Sequence, residues 1–193
     1  RLDLVRIHAN PVYRHVELGW GTIRCPAGVA MPLYSIGHSN VPIESFLELL
    51  QHHSISTLVD ARSTPYSRYN PQFRRSELRG ALLARSIRYL FLGDRLGGKP
   101  ADARFRRADG SVDYEMVAAS EFFQNGLRQL IELGATANVA FMCAEADYKH
   151  CHRYWLITRA LLQQGLAVQH ILPGGGLAAS ALWEFEPAQP SLF

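Results

Sequence analysis

The stretch Phe141-Met142-Cys143-Ala144-Glu145-Ala146-Asp147-Tyr148-Lys149-His150-Cys151-His152-Arg153 decides how this chain is read. An apolar run, Val139 to Met142, delivers the thiol of Cys143. A loop then crowds Glu145, Asp147, Lys149, His150, Cys151, His152 and Arg153 together. The following segment carries Tyr154, Ile157 and Leu161 at helical spacing and stops at Gly165. A short apolar run, a polar turn and a 3.6-residue apolar period describe a buried strand feeding a helix.

The same alternation extends in both directions. Upstream, the pattern predicts one helix from about Asp113 to Leu133, with Phe123, Leu127, Leu130 and Ile131 inward and Gly134 just past its end. Downstream, Ala167 to Ile171 reads as a strand, and Pro173-Gly174-Gly175-Gly176 breaks the chain. Trp183 and Phe185 are expected to pin the tail. Nearer the start, Leu33–Ile36, Thr57–Val59 and Tyr89–Leu92 read as three more strands. Between them lie a helix opened by Pro42, with Ile43, Phe46, Leu47 and Leu50 on one face, and a helix capped by Ser76 and bearing Leu78, Ala81 and Leu82. Residues 93–100 read as a loop and 101–112 as a polar excursion.

Five strands alternating with four helices predict a single α/β domain: a mainly parallel, Rossmann-like sheet with helices on both faces in three layers. Such sheets bind ligands beyond the carboxyl ends of their strands. The polar clusters then share one rim: His38-Ser39-Asn40, Asp60-Ala61-Arg62, Asp94-Arg95 and Cys143 to Arg153 each follow a strand.

Composition narrows the class. The chain has 193 residues, 48% hydrophobic and 19% charged, which suits a globular domain. No apolar run approaches the roughly 20 residues that span a bilayer. Three cysteines (Cys25, Cys143, Cys151) leave an odd count, which points to reduced thiols in a cytoplasmic protein. Residues 1–30 show no sustained periodicity, and Met31 opens a different text. They are expected to be an extension or a misassigned start before the domain at 31–193.

Net charge is +3, and all the basic residues but Lys99 and Lys149 are arginine. Arg62, Arg68, Arg74, Arg75, Arg79, Arg85 and Arg88 fall between residues 61 and 90 with a single acid, Glu77. Tyr66, Tyr69 and Phe73 interleave with them along a proline-containing loop, 63–73. Aromatics among arginines suit base stacking and phosphate contact, and equally a packed loop.

Several motifs resemble one family, catalogued as domain of unknown function 488. Ile36-Gly37-His38-Ser39 resembles its first strand exit. Asp60 and Arg62, with Pro65, Ser67, Arg68, Asn70, Pro71 and Phe73, match its Asp-x-Arg and proline-loop segment. Leu92, Gly93, Leu96, Gly97 and Gly98 match a Leu-Gly-x-x-Leu-Gly-Gly segment. Cys143-Ala144-Glu145, then Cys151-His152-Arg153 and His170-Ile171, complete the likeness over about residues 33–172. Ala61 and Tyr148 depart from the family's usual Val and Pro. The resemblance implies the fold and a site, and it implies no reaction.

Chemistry follows from residue types. His38, Asp60, Cys143 and Glu145 are the candidate catalytic groups. Cys143 near His152 and Arg153 could be a nucleophile, or a buried wall at a strand end. Asp60 and Glu145 could act as general bases, or fix Arg62 and Arg153. Ser39, Arg62, Arg68, Asn70, Gly97, Gly98, Cys151, His152 and Arg153 are the candidate ligand contacts, with the arginines and a helix N-terminus clamping an anion. Lys149 stands where a cysteine-phosphatase loop needs arginine, and Glu145 and Asp147 oppose a rhodanese-type anion nest. Cys143, Cys151 and His152, with His38 or Asp60, could ligate a cation. Structural zinc pairs usually sit much closer in sequence, so no metal set is assigned. The cofactor is left unknown. Three functions fit this rim: an enzyme on a phosphate-bearing small molecule, nucleotide or nucleic acid; a non-catalytic nucleic-acid-binding module; and a metal- or thiol-dependent hydrolase or redox protein.

Overall fold

The structure, a computed structural model, describes residues 33–185 in full and three earlier strands by their backbone. Those strands, β1 (Ile7–Ala9), β2 (Tyr13–Leu18) and β3 (Gly21–Pro26), form an antiparallel sheet in the order β1-β2-β3. The sequence reading expected no regular element there. Leu18 pairs with Gly21, and a glycine in the two intervening residues was the hairpin signal available. The Cys25 side chain and the rest of residues 1–30 lie outside what is described, and with them the expectation of an extension.

From residue 33 the chain alternates as expected. Its elements are β4 (Leu33–Gly37), α1 (Ile43–His52), β5 (Thr57–Asp60), α2 (Arg75–Leu83), β6 (Arg88–Phe91), α3 (Gly93–Leu96), α4 (Tyr114–Ala119) and α5 (Glu121–Gly134). They are followed by β7 (Val139–Cys143), a π-helical segment (Arg153–Thr158) that runs into α6 (Arg159–Gln163), β8 (Val168–Ile171) and β9 (Leu177–Ala179). The sheet order is β6-β5-β7-β4-β8-β9. Its first five strands are parallel, and β9 returns antiparallel to β8. The fold is α/β, with six strands here rather than five. The extra one, Leu-Ala-Ala after a glycine turn, holds no β-branched or aromatic residue to announce it.

Crossover handedness explains the layers. The chain steps one way through β4, β5 and β6, then back through β7 and β8. Right-handed crossovers therefore put α1 and α2 on one face and α5 and α6 on the other. Phe46, Leu50, Leu78 and Leu82 pack with Ile36, Leu58, Ala140 and Met142. Phe123, Leu127, Leu130, Ile131, Ile157 and Leu161 pack with Leu33, Val59, Val139 and Phe141. Alternate residues of β7 thus feed opposite cores, and all five are buried. Among the described residues no helix is long and apolar enough to cross a membrane.

Local differences have local causes. The helix expected over 113–133 is two helices. Asp113 caps the first, accepting from Glu115 N and Met116 N, and Ser120 leaves helical backbone to cap the second. Gly134 closes α5 from inside rather than beyond it. Ser76 donates to Glu77 at 2.7 Å instead of capping α2, which follows Arg74. Residues 93–96, expected as loop, form α3, and the excursion at 101–112 contains a 3₁₀ turn and an Arg106–Val112 bridge. Phe185 packs on Tyr154, ring centroids 4.4 Å apart, whereas Trp183 is 72% exposed and pins nothing.

A buried polar chain joins the parallel sheet to its returning edge. Ser35 Oγ lies 2.6 Å from His170 Nδ1, and Ser180 Oγ lies 2.9 Å from His170 Nε2. Burial, and then Arg153, lower the His170 pKa from 6.5 to about 3. The unfolded chain binds this proton below about pH 6.5 and the native chain does not. The stabilisation is whole above that pH and drains away as the pH falls toward 3. Urea unfolding at pH 7 and pH 5 should show a loss of stability in the parent protein and a shallower loss in His170→Asn.

Candidate active site

The parallel register sets the strand exits side by side. Gly37 pairs with Cys143 and Asp60 with Met142. The ladder runs on past the strands: His38 N donates to Cys143 O (3.1 Å), Ser39 N to Ala144 O (2.8 Å) and Ala61 N to Met142 O (3.1 Å). The loop after β7 lies so close to Gly37 that a Cβ there would fall 1.8 Å from Glu145 O. Glycine is the residue this approach allows.

A cavity of about 700 Å³ opens at this rim. Of the residues predicted to form a site, His38, Ser39, Arg62, Asn70, Gly98, Cys143, Glu145, Cys151 and His152 line it. Asp60, Arg68, Gly97 and Arg153 do not. Tyr66, Lys99, Tyr114 and His150 also contribute to its wall. Tyr114 arrives on α4, too far along the chain from the rim motifs for any spacing rule to connect them.

Asp60 is fully buried beneath the cavity. Its carboxylate accepts from Arg62 N (3.1 Å), Nε (2.9 Å) and Nη2 (2.7 Å) and from the Tyr89 hydroxyl (2.8 Å). Arg62 Nη2 also donates to Phe73 O at 2.9 Å. His38 Nδ1 donates to Ser39 O (2.7 Å), which leaves Nε2 to accept from Arg62 Nη1 (3.2 Å). Burial, and then the Arg62 charge, push His38 down to about 4, so its imidazole is neutral at neutral pH. Its ring stacks on Phe73 at 4.2 Å.

Opposite this group lie two thiols, a carboxylate and an imidazole. Cys143 Sγ donates to Glu145 Oε2 at 2.8 Å, and Cys151 Sγ to the same oxygen at 3.2 Å. His152 Nε2 donates to Ala61 O (3.0 Å), which turns an unprotonated Nδ1 toward the sulfurs. Nδ1 lies 3.5 Å from Cys143 Sγ and 3.6 Å from Cys151 Sγ. The imidazole sits against the backbone of Gly98, where a Cβ would fall 2.5 Å from His152 Cβ and Cγ. The thiols titrate as a pair. The neighbouring Cys151 sulfur, with burial, pushes Cys143 up; the Cys143 thiol, helped by His152, holds Cys151 down. Burial raises the Glu145 carboxyl, but the thiol donors outweigh it and hold it below the usual range.

Arg153 stands behind this cluster, fully buried. Its Nη2 donates to Glu145 O (2.7 Å) and Ala146 O (3.0 Å), pinning the loop that carries the thiols. Its Nε and Nη1 are buried without a partner among the described residues. Arg68 is exposed outside the cavity.

The family model for Domain of unknown function DUF488 matches residues 42–160, more than half of the chain. The chain belongs to the DUF488 family. Comparison with curated proteins and with solved structures finds no match. The DUF488 match takes in Asp60, Arg62, Gly98 and the whole Cys143–Arg153 segment, and it leaves the resemblance at His38 and at His170 outside.

In this DUF488 site, removing the Asp60 charge strands a buried guanidinium. Asp60→Asn should cost about 3–5 kcal/mol of stability, read by urea unfolding.

Proposed function

We propose that the protein is a metal-dependent hydrolytic enzyme whose cation is held by Cys143, Cys151 and His152. One observation carries the reading. The Cys143 and Cys151 sulfurs and His152 Nδ1 all lie within 4.8 Å of one another, with sulfur–nitrogen separations of 3.5 and 3.6 Å. A tetrahedral zinc-type ion, with metal–sulfur bonds of about 2.3 Å and metal–nitrogen bonds of about 2.0–2.1 Å, requires sulfur–nitrogen edges of about 3.6 Å.

The surroundings support it. The Ala61 carbonyl fixes the tautomer that offers Nδ1 as a ligand, a usual outer-shell arrangement. All three ligand residues line the cavity, so a fourth coordination position would face a substrate. Three protein ligands with an open position describe catalytic rather than structural zinc. When bound, such an ion acidifies a water molecule and polarises an electrophile.

The chain's own residues supply the remainder. Glu145, beside both sulfurs, accepts the proton of the attacking water and returns it to the leaving group, so hydrolysis needs no outside oxidant or reductant. Neutral His38 and the hydroxyl and amide groups of Ser39, Ser63 and Asn70 orient the substrate. The geometry favours this reading over an arginine-clamped anion. Arg62 is already paired with Asp60, and Arg153 lies behind the cluster, outside the cavity lining, with its Nη2 on the loop carbonyls. The long Cys143–Cys151 spacing is no obstacle, because the intervening loop doubles back with Arg153 as its pin.

Elemental analysis of protein purified without chelator should find about one zinc-class ion per chain. Cys143→Ser, Cys151→Ser and His152→Ala should each lose it, and Glu145→Gln should keep it. Metal-stripped protein titrated with Co²⁺ should develop a thiolate-to-metal charge-transfer band. A parent protein with neither bound metal nor that band would sink the proposal.

A further inference from the structure

The cavity wall built from residues 63–73 carries features that the metal reading does not use. Tyr69 is 87% exposed and Tyr66 60%, with exposed Arg68 between them. Single exposed apolar residues are unremarkable on a protein surface. Here two aromatic rings and a cation share four residues at the mouth of a polar cavity.

The platform is held rigidly. Ser67 Oγ accepts from Asn70 N (2.9 Å), and Ser67 O accepts from Arg74 Nε (3.1 Å). The Arg74 guanidinium lies 4.8 Å from the centre of the Tyr66 ring. Phe73 anchors the far end in the core, with its carbonyl on Arg62. Both tyrosines are thus presented outward by a fixed backbone, at little ordering cost to a ligand.

Cations outnumber acids on the side of this mouth formed by residues 63–75. Arg68 forms no ion pair with any described residue. Arg75, exposed at the rim end of α2, lies over the Phe91 ring, and Lys99 is exposed across the cavity. Glu145 is the one acid among the described lining residues. Arg85 and Arg88 lie toward the opposite edge of the sheet and take no part.

We infer that the substrate is a single-stranded nucleic acid, whose bases stack on Tyr66 and Tyr69 and whose phosphates run past Arg68, Arg75 and Lys99, placing one nucleotide in the cavity. A polyanion answers the charge. Stacking aromatics select a strand with exposed base faces over a paired duplex. About 700 Å³ is within the usual size of a small-ligand pocket. The inference rests on the hydrolytic reading only for what happens inside the cavity; the strand is held by other residues.

Fluorescence anisotropy of a labelled, mixed-sequence oligonucleotide on the full chain tests it. Binding should weaken steeply with salt, and Arg68→Ala should lower the log–log salt slope by about 0.7. Tyr69→Ala should weaken binding about fivefold to a hundredfold, and Tyr69→Phe should restore it. These side chains are exposed, so thermal unfolding should be unchanged. Chelator-treated parent protein should still bind the oligonucleotide with the same dependence on Tyr69, separating this inference from the metal. Equal affinity for the duplex, equal affinity for an acidic peptide of matched charge, or a Tyr66→Ala/Tyr69→Ala protein that binds as tightly as the parent would overturn it.

Discussion

The site depends on one buried carboxylate. Asp60 ends β5 inside the protein, where an uncompensated charge is costly. Its four donors come from the residue two positions on and from Tyr89 on β6. Arg62, fixed in this way, reaches the Phe73 carbonyl on the tyrosine loop and His38 after β4. The exits of β4 and β5, with β6 joined through Tyr89, are therefore locked by satisfying one pair of charges. The walls of the cavity are set before any ligand arrives.

The sheet and its rim were legible from residues whose pattern is local. Val139 to Met142 announces a buried strand because both of its faces meet apolar layers, and the observed cores bear that out. The α5 stripe of Phe123, Leu127, Leu130 and Ile131 was equally plain. The break before it was not, because the apolar period of α4 runs on past Ser120 and masks a cap. β9 was invisible for the opposite reason: three small or isolated apolar residues carry no period at all.

Charge was harder to read than shape. Arg62, Arg68 and Arg153 look alike in the sequence, but they hold a buried ion pair, open solvent and a pair of loop carbonyls respectively. Counting arginines predicts an anion clamp, and burial decides how many remain free to form one. The cysteines err in the other direction. Seven intervening residues argue against a shared ligand set until the path of the loop is known. That path is tertiary information, written by Arg153 and by the close approach at Gly37.

The helix after the thiols begins with a π-helical stretch, Arg153–Thr158, in which the Thr158 hydroxyl donates to the Arg153 carbonyl at 2.7 Å. Such winding holds one more residue than an ordinary turn and is frequent at functional positions. Its effect resembles that of a washer under a bolt head: it sets the angle at which everything before it is clamped. Winding the same residues as ordinary α-helix would swing Cys151 and His152 about 100° around the axis. The hydrophobic face of α6 would still fit the sheet, but the Cys151 sulfur and the His152 imidazole would point elsewhere. The winding of this segment, as much as the identity of its side chains, sets where the second half of the cluster stands.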